Sequence, residues 1–376
     1  MVVSLSLSHY TLFDNLAGNH QDALAQDESN EPLDQVEFAP VDLGLFLCHF
    51  TVKVSISLPR IFQPPGAFGI RPEIIYNEPM TQNFKTGYIA LMGVPNVGKS
   101  TLLNRLVGEK LSITSPKPQT TRHRLLGILN LPEAQLLFMD TPGVIDPKGA
   151  LNEALVQAAL TGLGEADVVV WLVEPKPPDT RDRVLLPHLQ KLNRPLIVAI
   201  NKIDLVAKPK LLPLIAAYHD LFPQAPILPL SALLGDGIQE LMAELFKLLP
   251  QAPPFYPPDQ ETDVSERFLA AEFIRERVFH HLGEELPYSV AVLVEEFDES
   301  RRPELVRIRA VIYVERTSQK GIVIGKGGLL LKVIGQEARV EIEALLGAHV
   351  FLELWVKVWK NWRKDPRALR TLGYQG

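Results

Sequence analysis

Residues Gly93, Val94, Pro95, Asn96, Val97, Gly98, Lys99 and Ser100 spell GVPNVGKS, the pattern G-x-x-x-x-G-K-[ST]. Glycines at this spacing let backbone N–H groups turn toward phosphate oxygens, with the following helix N-terminus adding positive potential. Lys99 then neutralises the outer phosphate oxygens, the Ser100 hydroxyl reaches Mg2+, and Thr101 follows inside the same site. The flanks suit this reading: TGYIALMG is a short buried strand and STLLNRLVG an amphipathic helix. Phosphate binding alone leaves ATP and GTP open.

The purine is chosen further along. IVAINKIDL puts Asn201, Lys202 and Asp204 after an apolar run. A carboxylate only accepts hydrogen bonds, so Asp204 pairs with the adjacent N–H and NH2 donors of guanine, a donor pair that adenine lacks. Ser231, Ala232 and Leu233 in LPLSALLGDG form a loop that reaches the base oxygen. Between these motifs, LLFMDTPGV reads as a strand ending at Asp140, followed by Thr141, Pro142 and Gly143. Asp140 holds the magnesium shell and the Gly143 N–H reaches the γ-phosphate. PQTTRHR offers Thr120 and Thr121, and Thr121 is the expected metal-sensing threonine of a switch loop. The expected catalytic set is Lys99, Thr121 and Gly143, with Ser100, Thr121 and Asp140 around the metal.

The residue after Gly143 is Val144, where a glutamine could orient water. Slow intrinsic hydrolysis is expected, assisted by a partner, a monovalent cation or a backbone-held water. Asn96 either ligates potassium or shapes the loop.

The elements that position these groups alternate strand and helix, which predicts an α/β domain with a mostly parallel sheet over residues 80–250. Pro250, Pro253, Pro254, Pro257 and Pro258 mark a stiff linker over 251–262. A smaller α+β domain is expected over 263–376. There VSERFLAAEFIRERVFHHL has a helical period, and PYSVAVLVEEF and ELVRIRAVIYVE alternate as strands. QKGIVIGKGGLLLKVIGQEARVEIEALLG reads as helix, turn and helix, and HVFLELWVKVWK as a last strand. A G-x-x-G turn at Gly325, Lys326, Gly327 and Gly328, beside three strands, resembles the type II KH RNA-binding domain. Its glycines allow close approach to a phosphate backbone. Lys320 and Lys332 flank the turn, and Arg316 and Arg339 extend a basic run broken only by Glu337.

The chain has 376 residues, 46% hydrophobic and 22% charged, and a formal net charge of −6. That charge is uneven: ten acidic residues of 1–79 against Lys53, Arg60 and Arg71 give that segment −7 and leave +1 for residues 80–376. This segment reads as a disordered extension, without the pattern of a signal or transit peptide, and Met80 is an alternative start. Cys48 is the single cysteine, so no internal disulfide forms and a reducing compartment fits.

Taken in order, GVPNVGKSTLLNRLVG, SPKPQTTRHR, DTPG, NKID and ELPYSV...HVFLELWVKV resemble the Era family of bacterial GTPases over residues 80–376. The resemblance implies GTP and GDP with Mg2+ as ligands, and binding to small-subunit ribosomal RNA near its 3' end. It also implies a role in maturation of the 30S subunit, a monomer, and a cytoplasmic location with peripheral association at the inner face of the plasma membrane. Two rival readings are an RNA-binding scaffold with a structural nucleotide site and a related GTPase directed at tRNA or the large subunit.

Overall fold

Apolar runs without polar alternation make strands that can be buried on both faces, and LIVAI and VVVWLV are such runs. The computed structural model describes residues 83–374 except 116, 118, 119, 145–149 and 284, all within one unit, Ile75–Gly376. The extension over 1–79 and the alternative start at Met80 lie outside the described residues.

The chain runs β1 (Lys85–Met92), α1 (Lys99–Val107), β2 (Leu125–Leu131), β3 (Ala134–Asp140), α2 (Ala150–Glu165), β4 (Val168–Val173), α3 (Leu186–Leu189), β5 (Leu196–Ile200), α4 (Leu211–Leu221), β6 (Ile227–Pro229) and α5 (Ile238–Leu248). These strands form one sheet in the order β2-β3-β1-β4-β5-β6. Only β2 runs antiparallel to its neighbour. Alternate residues of each central strand serve opposite faces. Ile89, Leu91, Val170 and Leu172 pack with α1 and α5, while Ala90, Met92, Val169 and Trp171 pack with α2 and α4. Each fully buried aliphatic side chain of this kind contributes about 1.5–3 kcal/mol, so the central strands are rigid mounts for the loops at their carboxyl ends. The strand order reverses beside β1, which lies between β3 and β4. Ligands of open α/β sheets bind at that crevice, and the glycine loop leaves β1 there.

The proline-rich segment is fastened along the sheet rather than standing free. Gln135 Oε1 accepts from the N–H groups of Phe255 (2.7 Å) and Tyr256 (3.0 Å), and Ile128 N–H donates to Glu261 O at 2.8 Å.

Beyond it come α6 (Glu266–His281), β7 (Ala291–Arg301), β8 (Leu305–Val314), α7 (Thr317–Ile324), α8 (Leu329–Leu346), β9 (Val350–Val358) and α9 (Pro366–Thr371). Ser265 caps α6 by accepting from Phe268 N–H. Residues Pro287–Ser289, read from sequence as the start of a strand, form a short 3-10 turn instead. The proline and the turn's internal hydrogen bonds delay β7 until Ala291. The second sheet, β7-β8-β9, pairs β7 and β8 antiparallel and β8 and β9 parallel. Val306, Ile308, Ala310, Ile312 and Val314 face α6 and α8 in one core, while Arg307, Arg309, Phe351 and Trp355 stay on the open face.

Candidate functional site

Two concave regions collect the residues singled out by sequence. The first opens at the carboxyl end of β1, a cleft of about 410 Å3 lined by Pro95, Asn96, Gly98, Lys99, Ser100, Thr121, Gly143 and Lys202 among others. Gly98 has φ 101°, and a Cβ there would fall on the Asn201 amide nitrogen. Only glycine gives both that turn and that close approach. α1 starts without a side-chain cap, so its first N–H groups are free to meet an anion. Lys99 is buried in the loop and donates to Gly93 O (3.1 Å) and Val94 O (3.2 Å). Burial lowers its pKa to about 8, against the opposing pull of Asp140.

Three hydroxyls converge on Asp140. Ser100 Oγ and Ser112 Oγ both donate to its Oδ2 at 2.6 Å, and Ser100 Oγ lies 2.8 Å from Thr121 Oγ1. The other carboxylate oxygen, Oδ1, is buried without a hydrogen-bond partner. Burial pushes the Asp140 pKa up, while Lys99 and the hydroxyls pull it down. An unmatched carboxylate oxygen among hydroxyls suits a hard cation that keeps much of its own water shell, as Mg2+ does. Among the described residues no group of three or more His, Cys, Asp or Glu forms a metal cluster. The oxygen set at Asp140 is thus suited to Mg2+ rather than to a metal preferring nitrogen or sulfur ligands.

Thr141 is turned away from the cleft: its hydroxyl donates to Leu91 O at 2.8 Å inside the sheet. Gly143 lies against the glycine loop, where a Cβ would sit 2.6 Å from Pro95 N. Val144 donates its N–H to Gly93 O at 3.2 Å and is only 1% exposed. Its side chain belongs to the core and presents nothing to a water in the cleft.

At the base end, Asn201 acts as a bolt. Its amide donates to Val97 O at 2.7 Å and its carbonyl accepts from Ala232 N–H at 2.9 Å, joining the phosphate loop to the loop of Ser231, Ala232 and Leu233. The exposed carboxylate of Asp204 accepts from Ser231 Oγ at 2.6 Å, which fixes its orientation. Lys202, at φ 62°, places its ammonium 3.3 Å from Glu174 Oε1. Sequence reasoning missed Arg105. From α1 it donates through Nε to Ala232 O at 3.2 Å and through Nη2 to Leu233 O, propping up the base loop. It also missed Asn104, whose side chain holds Ser112 through three hydrogen bonds with the 111–112 backbone.

The second region surrounds the turn between α7 and α8. Gly325, Gly327 and Gly328 have φ of 73°, 60° and 80°, and space beside Gly327 and Gly328 is open. The Lys326 side chain is exposed at the tip. A groove of about 420 Å3 continues from Gly328 along Lys332, Gln336 and Arg339 to Phe351, Leu352 and Leu354 of β9. Lys320 sits on α7, outside the groove lining. Phe351, 58% exposed, is an aromatic surface that alternation alone had left as an outward strand position.

Residues 88–202 match the family model described as a 50S ribosome-binding GTPase, and residues 285–363 match a KH domain model. GTPase Era of Geotalea uraniireducens is 50% identical over 295 residues, which is 78% of this chain and 99% of the relative. That of Geobacter metallireducens is 50% identical over 292 residues, 77% and 98% of the two chains. A crystal structure of Era in complex with MgGDPNP and nucleotides 1506–1542 of 16S ribosomal RNA matches with a TM-score of 0.76 at 44% identity. The match covers 78% of this chain and 100% of that one. An Aquifex aeolicus Era variant bound to GDP and AlF4− matches with the same scores and coverage. A glycine loop at the sheet's reversal point, an Asp204 carboxylate oriented by Ser231 and a G-x-x-G turn within the KH match thus occur together in a chain that spans nearly the whole length of these relatives. The chain belongs to the GTPase Era family.

Proposed function

We propose that this GTPase binds and hydrolyses GTP in the cleft after β1 and binds the 3'-terminal region of small-subunit ribosomal RNA through the turn at Gly325–Gly328. In this role it assists assembly of the 30S subunit. One observation carries the reading: Ser100, Thr121 and Asp140 gather within hydrogen-bond reach in the same unit that presents an open, basic G-x-x-G turn and groove. The Era complex with MgGDPNP and 16S nucleotides 1506–1542 supports the choice of RNA. Ser100, Thr121 and Asp140 would hold Mg2+, which supplies charge neutralisation for the transferred phosphoryl group. Lys99 and the α1 N-terminus anchor the phosphates, Gly143 N–H faces the γ-phosphate, and Asp204 selects guanine. With Val144 in the core, intrinsic hydrolysis is slow and is assisted by a partner, a monovalent cation or a water held by backbone groups.

At the second site, Lys326 meets the phosphate backbone, Lys320 and Lys332 add positive potential, and Phe351 offers a stacking surface. The test is binding of an oligonucleotide of the small-subunit RNA 3' end, with hydrolysis followed in parallel. Lys326→Glu weakens RNA binding and leaves GTP binding unchanged. Undiminished RNA binding would remove Lys326 from the interface, and hydrolysis that is undetectable even with RNA would favour the scaffold reading. Potassium is proposed as an accessory cation with Asn96 as ligand; equal turnover in potassium and sodium buffers rejects it. No helix among the described residues is long and apolar enough to cross a membrane, so the proposed association with the inner face of the plasma membrane is peripheral. Flotation with anionic vesicles tests it. A monomeric state is proposed alongside, checked by sedimentation.

A further inference from the structure

The segment carrying Thr121 is held from outside the nucleotide domain, on both sides of that residue. Before it, Thr120 O accepts from Arg275 Nη2 of α6 at 2.5 Å. After it, the Arg122 side chain is only 3% exposed and enters a cup formed by the turn before β7. Arg122 Nη1 donates to Val290 O at 2.6 Å, and Nη2 donates to Tyr288 O at 3.0 Å and Pro287 O at 3.3 Å. The rings of Phe279, Trp362 and Tyr374 surround the guanidinium at 5.6, 5.9 and 5.7 Å. His123 stacks on Tyr374 with centroids 4.8 Å apart.

Every one of these partners belongs to the RNA-binding half, and none is part of the nucleotide motifs. Thr121 itself points the other way, with Oγ1 2.8 Å from Ser100 Oγ. A three-residue run is therefore pulled into one register by two domains at once. A fork of fixed donors satisfied by three carbonyls sets the orientation as well as the position of the backbone that carries it. Two guanidinium groups, Arg122 and Arg275, lie in this joint, where Arg275 is paired with Glu272 and leaves its Nη1 without a partner.

We propose that Arg122 is a positioning residue for GTP hydrolysis: seated in the carbonyl cup of Pro287–Val290, it lets the RNA-binding half set Thr121 against the metal site. The proposal rests on the reading of Thr121 as a metal ligand. By reciprocity, whatever shifts the RNA-binding half alters the occupancy of that threonine position.

The test uses full-length protein carrying Arg122→Ala, Arg122→Lys or Thr121→Ala, with single-turnover hydrolysis of MgGTP, GDP affinity and thermal unfolding measured for each. Arg122→Lys keeps a cation among the three rings and loses the fork, so it is the variant that folds if alanine does not. Displacement of a reacting group's support by about 1 Å costs on the order of 100-fold in rate, and a rate loss of about 10- to 100-fold is expected for both Arg122 variants. GDP affinity, which does not need Thr121, stays within about threefold. A purely structural arginine would lower the unfolding temperature and leave the hydrolysis rate of folded protein untouched. Folded Arg122→Lys that hydrolyses GTP at the wild-type rate, alongside impaired Thr121→Ala, overturns the proposal alone. Wild-type hydrolysis by Thr121→Ala overturns the reading beneath it.

Discussion

Asn201 is the residue whose replacement tests the construction of the nucleotide site most directly. It has two buried hydrogen bonds, to Val97 O at 2.7 Å and from Ala232 N–H at 2.9 Å, and Asn201, Val97 and Ala232 are all at most 2% exposed. Asn201→Ala leaves one carbonyl and one N–H without these partners. A buried polar group stripped of its partner costs about 1–3 kcal/mol, so the pair costs about 2–6 kcal/mol, with the lower end favoured if water fills the space. At about 1.4 kcal/mol per tenfold, 2 kcal/mol corresponds to about a thirtyfold loss of GDP affinity if it falls on binding. If it falls on folding instead, it lowers the unfolding midpoint by about 4–8 °C for a domain of this size. Calorimetric titration with GDP in Mg2+ and thermal unfolding with and without GDP separate the two. Asn201→Asp adds a directional check. Its carboxylate still accepts from Ala232 N–H but faces Val97 O with another acceptor, so it should be at least as damaging as alanine. If both variants bind GDP within about twofold of wild type and unfold within about 1 °C of it, the bolt does not hold the two loops together.

Asp204→Asn exchanges an acceptor oxygen for an amide donor, which then faces the 2-amino donor of guanine but would match the 2-carbonyl of xanthine. GDP affinity should fall on the order of 100-fold and shift toward xanthosine diphosphate, read by competition binding; retained guanine preference would refute the assignment of the carboxylate. Ser112→Ala removes one of the three hydroxyls gathered at Asp140. Loss of such a supporting contact typically costs 10–100-fold in metal affinity, so half-maximal hydrolysis should need about tenfold more Mg2+, with GDP binding in the absence of metal unaffected. Glu276 accepts from Lys110 Nζ at 2.5 Å and Thr114 N–H at 2.8 Å. Burial alone would raise its pKa, but these hydrogen bonds and Arg277 outweigh it and hold the carboxyl below the ordinary glutamate value. Its contribution is therefore present above the unfolded glutamate pKa and is lost as pH falls through the lower folded value. Glu276→Gln should flatten the loss of stability as pH falls below the unfolded glutamate pKa of about 4.3, followed by unfolding scans.

The parts of the molecule that were legible in sequence are those where local pattern and chemistry coincide. GVPNVGKS needs a strand before it and a helix after it, and β1 and α1 supply them. The alternation from Val306 to Val314 gives the buried face of β8 because a strand's period is two. What stayed hidden depends on pairings across long stretches of chain. Arg105 on α1 reads as a solvated basic residue near a helix end, and only the fold brings Ala232 O beneath it. Gln135 reads as a polar interruption in β3, yet it fastens the proline segment through Phe255 and Tyr256. Arg122 sits in a basic, threonine-rich loop whose obvious reading is exposure, and its carbonyl partners lie 165–168 positions away. Hydropathy reports which face of an element is buried; it carries no information on which distant carbonyls will meet a buried guanidinium.

Val144 links the chemistry to the architecture. Its side chain packs with Met92, Met139 and Val173 in the core beneath α2 and α4, and its N–H is spent on Gly93 O. A position built that way cannot lend a polar side chain to an attacking water without abandoning packing that stabilises the sheet, since an amide buried without partners costs about 1–3 kcal/mol. If, as proposed, backbone groups near Gly143 and Thr121 orient the water, their geometry is only as good as whatever holds the loop. In the nucleotide domain the glycine loop is held by Asn201 and the Asp140 carboxylate by Ser112, both from within. The loop of Thr121 is held from the other domain, by Arg275 and Arg122. The step that lacks its own side chain is thus the step whose support comes from the RNA-binding half, which is the arrangement expected where occupancy of one site is to be timed by the other.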